Sequence, residues 1–269
     1  MLRMNNLTIK TEDERIVQNV SLQLFRGDWY ALVGESGSGK SITASAIGGL
    51  LPGNLQVDYG EIYFKKHDLL YMKKREKSLL LGNDIAYIFQ DYTGAFTPFL
   101  RIGKQMDEVL RTHTQLLRTE RKRKALDALQ SVKLEEMIYS SYPCQLSGGQ
   151  LQRAAIASAM MLNPSLLIAD EPTTALDSIT AHHILQLILK LTSEANCAVL
   201  FITHDLRLVK KYATKIGVME KGRIVETGKK NEVLEDPQHP YTKMLLKAIP
   251  KLLDTRARLC VGMEDHHEE

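Results

Sequence analysis

Residues 29–41 read Trp29-Tyr30-Ala31-Leu32-Val33-Gly34-Glu35-Ser36-Gly37-Ser38-Gly39-Lys40-Ser41. From Gly34 onward the segment fits the pattern G-x-x-x-x-G-K-[ST], between an apolar run typical of a strand and a helix-like stretch that stops at Pro52. Such glycines let successive backbone N–H groups face phosphate oxygens, and the positive end of the helix dipole adds attraction. The sequence therefore predicts a phosphate-binding loop in which Lys40 reaches the β- and γ-phosphates and Ser41 ligates Mg²⁺. A glycine turn that matches by chance is the weaker alternative.

A second candidate loop lies at Leu146-Ser147-Gly148-Gly149-Gln150, directly before an apolar helical run that reaches Met161. Ser147, Gly148 and Gly149 at a helix N-terminus would offer another set of backbone N–H donors to a phosphate. Two such loops in one small domain suggest that two chains share two nucleotides.

Composition limits the class of protein. The chain has 269 residues, 44% of them apolar, and a net charge of +3. This length allows one large core, with room for an inserted subdomain, and the charge is too mild to indicate nucleic acid. Because the basic run Arg118 to Lys124 leads into apolar residues at helical spacing, it is better interpreted as a solvated helix face.

The cysteine content and the apolar pattern indicate the cellular compartment in which the chain is expected. Three widely spaced cysteines, Cys144, Cys197 and Cys260, fit neither a disulfide framework nor a zinc site and favour a reducing cytosol. No segment has the pattern of a signal peptide, and no apolar stretch approaches the roughly 20 residues that span a bilayer. Any membrane role is therefore expected to depend on a partner.

Short apolar runs alternate with longer helical segments along the chain, which is typical of an α/β fold. Leu166 to Ala169 and Ala198 to Thr203 are predicted strands, with a helix from Ile179 to Leu191 between them. This βαβ unit implies a parallel sheet. The strand signal disappears between about residues 91 and 159, where an inserted helical subdomain is the simplest explanation.

The remaining segments are assigned from the same patterns. Helices are expected at Ile102 to Leu117, Glu120 to Val132 and Gln150 to Met161, a hairpin over Ile216 to Glu226, and a further helix after about Asp236.

Polar side chains follow the predicted strands. Asp170 and Glu171 end one apolar run, and ligands of open α/β sheets bind at that edge. Asp170 is expected to hold Mg²⁺, through water, and Glu171 to polarise the attacking water. Asp-Glu-Pro acting only as a cap for the next segment is the alternative. His204 ends the neighbouring strand and is expected to contact the γ-phosphate or the water; Gln90 follows Phe89 and could ligate Mg²⁺, contact water and report nucleotide state to the helical insert.

Together these residues form a recognisable set. The chain resembles the ATP-binding subunits of ABC transporters over essentially its whole length. The motifs occur in the family's order: phosphate loop at Gly34 to Ser41, glutamine switch at Gln90, signature at Leu146 to Gln150, acids at Asp170 and Glu171, Ala175-Leu176-Asp177, and histidine switch at His204. The resemblance implies a RecA-like core with an antiparallel β subdomain and a helical subdomain. It also implies a head-to-tail pair of cassettes, with ATP held between one phosphate loop and the other signature, and Asp177 at the dimer seam.

Two further segments narrow the resemblance. His239-Pro240-Tyr241-Thr242, followed by Leu245-Leu246 and Ile249-Pro250, is similar to the C-terminal segment of the peptide and nickel importer subgroup. An ordinary helix start at Pro240 is the alternative. Gln90-Asp91 with Ala95, Pro98, Ile102-Gly103 and Gln105 resembles the groove that accepts a permease's coupling helix. We therefore expect an ATPase domain at residues 1–235 and a C-terminal extension at 236–269.

Two departures from the family pattern matter. No Trp, Tyr or Phe occurs between Met1 and Val20, although the family usually stacks an aromatic residue on adenine at a position near Thr11. Without that contact, the binding free energy of ATP would be weaker by on the order of 1 kcal/mol. The tail also lacks clustered cysteines, having only Cys260, which favours nickel or metal-chelate members of the D type. His266-His267 is interpreted as part of a solvated tail.

The resemblance thus implies an ATPase, with ATP and Mg²⁺ as ligands, that drives uptake of nickel, a metal chelate or a short peptide from the cytoplasmic face of the membrane. Implied partners are two permease subunits, a second ATPase subunit, usually a different chain in this subgroup, and an extracytoplasmic binding protein that acts through the permease; nucleic acid is not expected. A DNA- or ribosome-associated ATPase and a regulatory nucleotide-binding subunit are the alternatives. DNA-associated members carry a long coiled-coil insert and ribosome-associated members a second cassette, and this sequence shows neither feature. A regulatory subunit is disfavoured by Glu171, His204 and the intact signature at Leu146 to Gln150.

Overall fold

A computed structural model describes residues 1–174 and 176–248 of the chain. Ten strands and nine α-helices lie in these residues. The strands are β1 (Leu2–Lys10), β2 (Arg15–Leu24), β3 (Trp29–Val33), β4 (Gln56–Phe64), β5 (His67–Asp68), β6 (Ile85–Ile88), β7 (Leu166–Asp170), β8 (Ala198–Thr203), β9 (Lys215–Glu220) and β10 (Arg223–Lys229). The helices are α1 (Lys40–Gly48), α2 (Lys74–Leu80), α3 (Ile102–His113), α4 (Arg118–Ser131), α5 (Gly148–Met160), α6 (Ser178–Glu194), α7 (Leu206–Tyr212), α8 (Lys230–Glu235) and α9 (Pro240–Lys247).

The strands form two sheets. One has six strands in the order β10-β9-β3-β8-β7-β6, in which only β10 runs antiparallel to its neighbour. The other is antiparallel, in the order β2-β1-β4-β5. The predicted α/β architecture, with a mainly parallel core, an antiparallel β subdomain and a helical insert, is confirmed.

Alternation along the central strands separates two cores. Trp29, Ala31 and Val33 face a core shared with α3 to α7, while Tyr30 and Leu32 face a core shared with α1 and the antiparallel sheet. Side chains of successive strand residues point to opposite faces, so a strand buried on both faces is apolar at every position. This explains why Trp29 to Val33 shows a continuous apolar run.

Between β6 and β7 the described chain contains three α-helices and two short 3₁₀ helices, Glu136–Ser140 and Pro143–Gln145, and no strand. The predicted helix from Ile102 to Leu117 was too long, because α3 ends at His113. Thr114 is extended, its N–H and hydroxyl both bond to Leu110 O, and α4 begins only after Leu117. A hydroxyl that donates to a carbonyl oxygen of the preceding turn competes with continuation of the helix. The spacing of apolar residues alone does not reveal this competition.

Register in the central sheet brings the strand ends together. Val33 pairs with Thr203, Asp170 with Ile202, and Ile88 with Ala169. Residues that directly follow β3, β8, β7 and β6 therefore emerge along one edge of the sheet. This edge carries the phosphate loop, His204, Glu171 and Gln90. Cys260, His266 and His267 lie outside the described residues, as does Ala175.

Candidate functional site

The phosphate loop leaves β3 through a backbone that requires glycine. Gly34 has φ +156°, and a Cβ there would lie 2.1 Å from the carbonyl oxygen of Met219 in β9. Gly37 and Gly39 have φ values of +79° and +100°, in the left-handed region that favours glycine. Gly39 then serves as the N-cap of α1. The loop's shape thus depends on these glycines.

Lys40 is folded back into the loop. Its Nζ donates to Gly34 O at 2.9 Å and to Glu35 O at 2.7 Å, and its side chain is almost fully buried. Burial lowers the pKa of Lys40, while the negative charges of Glu171 and Asp170 oppose that shift. The loop therefore holds a cation against its own carbonyl oxygens, in the position from which it could meet a phosphate.

Ser41 and Asp170 meet across the site. Ser41 Oγ donates to Asp170 Oδ1 at 2.9 Å, although the two residues are 129 positions apart. Burial raises the pKa of Asp170, while the Ser41 hydrogen bond opposes that shift. A hydroxyl and a carboxylate are hard oxygen ligands of the kind that Mg²⁺ prefers, so the pair fits that ion. No group of three or more His, Cys, Asp or Glu side chains in the described residues forms a metal site of its own. Magnesium would accordingly take further ligands from phosphate and water.

Glu171 sits at the end of β7 in a strained backbone conformation, with φ +45°. Its carboxylate accepts a hydrogen bond from Thr174 Oγ1 at 2.7 Å and lies 3.3 Å from His204 Nδ1. Burial works to raise the pKa of Glu171, but the Thr174 and His204 contacts outweigh it and lower the pKa. The carboxylate is therefore ionised at neutral pH. Strained residues held in place in this way are common at functional sites.

Gln90 follows the end of β6 at the same edge of the sheet. Its side chain is exposed, and within residues 1–174 and 176–248 it makes no hydrogen bond to Ser41 or Asp170. Beside it, an apolar groove of about 350 Å³ is lined in part by Phe89, Tyr92, Ala95 and Phe96. This groove lies between β6, the following segment, α3 and α5.

The second loop begins α5. Ser147 is its N-cap, the Ser147 hydroxyl accepts from Gln150 N at 3.3 Å, and the Gln150 side chain accepts from Ser147 N at 2.9 Å. A Cβ at Gly149 would meet no described atom within 4 Å beyond the adjoining backbone of α5. Packing within the described part of the chain therefore does not require glycine at this position. No hydrogen bond in the described part of the chain joins this loop to the phosphate loop.

Three residues that the sequence reasoning did not assign also contact the site. Thr174 fixes the Glu171 carboxylate, and Gln152 of α5 donates to the carbonyl oxygen of Pro172 at 2.6 Å. Tyr241 accepts a hydrogen bond from Glu35 N, 206 positions away. Proximity to Glu171 in the chain could have suggested Thr174, whereas the other two contacts carry no local signal.

The region near Thr11 contains no aromatic ring at the turn itself. Thr11 lies between β1 and β2, and its hydroxyl accepts from the N–H groups of Asp13 and Glu14. Its polar atoms are thus used within the turn. Among the described helices, none has both the length and the apolar character needed to cross a bilayer.

The chain is similar to known protein families and to individual proteins. Residues 17–174 match the model of the family described as ABC transporter, and residues 225–264 match the oligopeptide/dipeptide transporter, C-terminal region. The metal-staphylopine import system ATP-binding protein CntD of Staphylococcus aureus is 40% identical over 94% of this chain and 95% of its own length. The dipeptide transport ATP-binding protein DppD of Lactococcus lactis is 42% identical over 92% of this chain and 72% of its own.

A solved structure is also similar. It is a dimeric ATP-binding cassette in a post-hydrolysis state with ADP and phosphate, 32% identical, with a TM-score of 0.75 over 85% of this chain and 98% of that one. The family match, the relatives and the similar fold all indicate the same family. The chain belongs to the ABC transporter family, as an ATP-binding subunit with ATPase activity.

Proposed function

We propose that this chain is the ATPase subunit of an importer that takes up nickel, another metal chelate or a short peptide. The observation that carries the proposal is the C-terminal region, residues 225–264, which matches that of oligopeptide and dipeptide transporters. Relatives named for metal-staphylopine import and for dipeptide transport support the same substrate classes. We retain the division into an ATPase domain at residues 1–235, with a helical subdomain at about 91–159, and a C-terminal extension at 236–269.

ATP would bind with its phosphates in the loop from Gly34 to Ser41. Lys40 has three N–H donors, so it would keep its contact with Gly34 O while it turns other donors to phosphate oxygens. The loop's N–H groups would surround the phosphates. Ser41 and Asp170 would hold Mg²⁺, with Gln90 as a further ligand. Magnesium, when bound, neutralises charge on the phosphate oxygens.

Glu171 would act as general base. It accepts the proton of the water that attacks the γ-phosphorus, while the bond from that phosphorus to the ADP oxygen breaks. Thr174 holds one carboxylate oxygen and His204 faces the other, so the base has a fixed orientation. His204 would contact the water or the γ-phosphate.

Ser147, Gly148, Gly149 and Gln150 would contact the nucleotide of a second cassette. The space at Gly149 supports this, because the described residues leave it empty within 4 Å of a Cβ placed there. The second cassette is expected to be a different chain, with Asp177 at the seam between them. Asp177 caps α6 through its carboxylate, which accepts from Ile179 N and Thr180 N.

The complex would contain two permease subunits, and the coupling helix of the permease would contact the groove beside Gln90 at the cytoplasmic face of the membrane. An extracytoplasmic binding protein would deliver substrate to the permease. Closing and reopening of the cassette pair would then shift the permease between its two states. An intact Lys40, Glu171 and His204 set argues against a purely regulatory nucleotide-binding subunit.

Uptake into proteoliposomes tests this function. The tagged chain is purified with the permease that accompanies it, reconstituted, and supplied in parallel with labelled nickel, a nickel chelate and a dipeptide plus the binding protein. ATP-dependent uptake of one of these, abolished by Lys40→Ala, is the expected result. An ATPase rate indifferent to permease and binding protein, with no uptake of any substrate, would reject a transport role.

A further inference from the structure

The C-terminal helix α9 reaches the phosphate loop through one side chain. The N–H of Glu35 donates to the hydroxyl of Tyr241 at 3.1 Å. The carbonyl oxygen of Gly34 accepts from Lys40 Nζ at 2.9 Å. These two backbone groups belong to the same peptide unit, the one that joins Gly34 to Glu35. A single peptide plane is thus held by Tyr241 on one side and by the phosphate-binding lysine on the other.

The geometry of a trans peptide makes this connection rigid. Its N–H and C=O groups lie in one plane and point in opposite directions, so rotation of the plane moves both at once. Gly34 has no Cβ to resist such rotation. When the Tyr241 hydroxyl holds the N–H, it therefore also fixes the direction of the carbonyl oxygen that contacts Lys40.

Tyr241 is itself firmly placed. Its ring is 7% exposed and packs in the helical core, and its own N–H donates to the His239 side chain, the N-cap of α9. Glu226 of β10 accepts hydrogen bonds from Gln238 N at 2.8 Å and His239 N at 3.0 Å. Burial raises the pKa of the Tyr241 hydroxyl, so it stays neutral at physiological pH. The start of α9 is thereby fixed to the sheet that carries the loop.

We propose that Tyr241 is a positioning residue of the nucleotide site, which orients Lys40 through the Gly34–Glu35 peptide and couples the C-terminal region to ATP binding. This inference rests on the proposed function only in taking Lys40 as the phosphate ligand. It gives the C-terminal region a task inside the ATPase cycle of its own chain. Undocking of α9 would release the peptide and lower the affinity for ATP.

Tyr241→Phe tests the inference because it keeps the ring and removes only the hydroxyl. Loss of one hydrogen bond predicts a rise of about three- to tenfold in both the Kd and the KM for ATP. The kcat should stay within about twofold, since Lys40 contacts the phosphates before and during hydrolysis. Hydrogen exchange in the absence of nucleotide supplies a second readout, with faster exchange expected at the Glu35 amide.

Tyr212→Phe is the matched control. Tyr212 is 6% exposed, and its hydroxyl contacts His182, not the loop. This variant should leave the Kd for ATP and the exchange of the Glu35 amide unchanged. If Tyr241→Phe alters neither of those quantities, the inference is wrong. It is also wrong if Tyr241→Phe lowers kcat at constant KM and speeds exchange throughout the chain, because that result indicates lost packing.

Lys40→Ala separates this inference from the proposed function. If Lys40→Ala binds ATP as tightly as wild type, Lys40 is not the phosphate ligand, and that part of the proposed function is wrong. The exchange rate of the Glu35 amide in Tyr241→Phe, measured without nucleotide, still reports whether the hydroxyl holds the peptide.

Discussion

His204 Nδ1 lies 3.3 Å from Oε1 of Glu171, across the ends of two neighbouring parallel strands. The opposite carboxylate oxygen is held by Thr174. A carboxylate fixed at both oxygens keeps one orientation, and these contacts lower its pKa against the effect of burial. Glu171 is thus an ionised carboxylate with a fixed orientation, and His204 is half-exposed beside it.

Glu171→Gln should retain ATP binding and lose turnover. The amide keeps the size of the side chain but has no basic oxygen, and removal of a general base typically costs on the order of 10²- to 10⁴-fold in rate. Phosphate release measures turnover, and titration with a fluorescent ATP analogue measures binding. Glu194→Gln, at an exposed position of α6, is the matched control and should behave as wild type. Full ATPase activity in Glu171→Gln would show that Glu171 is not the general base.

Ser147→Arg should impair hydrolysis of the nucleotide on the partner cassette while ATP binding at Lys40 stays largely intact. The substitution removes the α5 N-cap and places a long side chain where N–H donors of the helix face outward. ATP affinity is measured on the isolated chain and turnover on the assembled complex. Ser147→Ala removes the N-cap side chain without adding a long side chain, so it should lower turnover less than Ser147→Arg does. Ser193→Arg on α6 is the control for the added side chain, and equal turnover in Ser147→Arg and Ser193→Arg would contradict the role of this loop.

Much of this architecture could be predicted from local sequence. The run Trp29 to Val33 and the glycines after it specify strand, loop and helix because each requirement is satisfied by adjacent residues. Strand ends such as Asp170 and Thr203 could be placed at one edge because parallel strands share a direction. The end of α3 could not be predicted, because the apolar spacing continues past His113. The signal that the helix ends there is the hydrogen bond from the Thr114 hydroxyl to Leu110 O.

Long-range contacts within the site carried no such signal. Glu35 and Tyr241 are joined by a backbone N–H and a hydroxyl, 206 positions apart, and neither residue type indicates the other. Gln152 likewise belongs to a helix whose start was predicted as a nucleotide-binding loop, yet its amide reaches Pro172. Such pairs depend on how the helices dock on the sheet, which follows from the whole core and not from any one segment.

Gln152→Ala should destabilise the fold. Gln152 is 1% exposed, and its amide donates to the carbonyl oxygen of Pro172, directly after Glu171. Loss of this donor leaves a buried carbonyl unpaired, which costs about 1–3 kcal/mol before any cavity is counted. Urea unfolding measures the change. Gln130→Ala, at an exposed position of α4, is the matched control and should stay within about 0.5 kcal/mol of wild type. Equal stability of the two variants would show that the Pro172 contact contributes nothing.

Docking of α9 should weaken in acid through Glu226. Burial works to raise the pKa of this carboxyl, but hydrogen bonds from the N–H groups of Gln238 and His239 outweigh it and hold the pKa below its usual value of 4.5. A depressed folded pKa means that the stabilisation is fully present above pH 4.5 and is lost as pH falls through the lower, folded pKa.

Below pH 4.5 the free energy of unfolding of the wild-type chain should therefore fall more steeply than that of Glu226→Gln, whose amide cannot titrate. The amide of this variant also accepts only one of the two hydrogen bonds well. Above that pH, Glu226→Gln should be the less stable chain and should bind ATP more weakly, because Tyr241 is held less firmly against Glu35. Urea unfolding across a pH series measures the first effect, and ATP titration at neutral pH measures the second. Glu194→Gln serves again as the control, and its stability should follow that of wild type at every pH. Parallel pH profiles for wild type and Glu226→Gln would show that this carboxylate does not hold α9 in place.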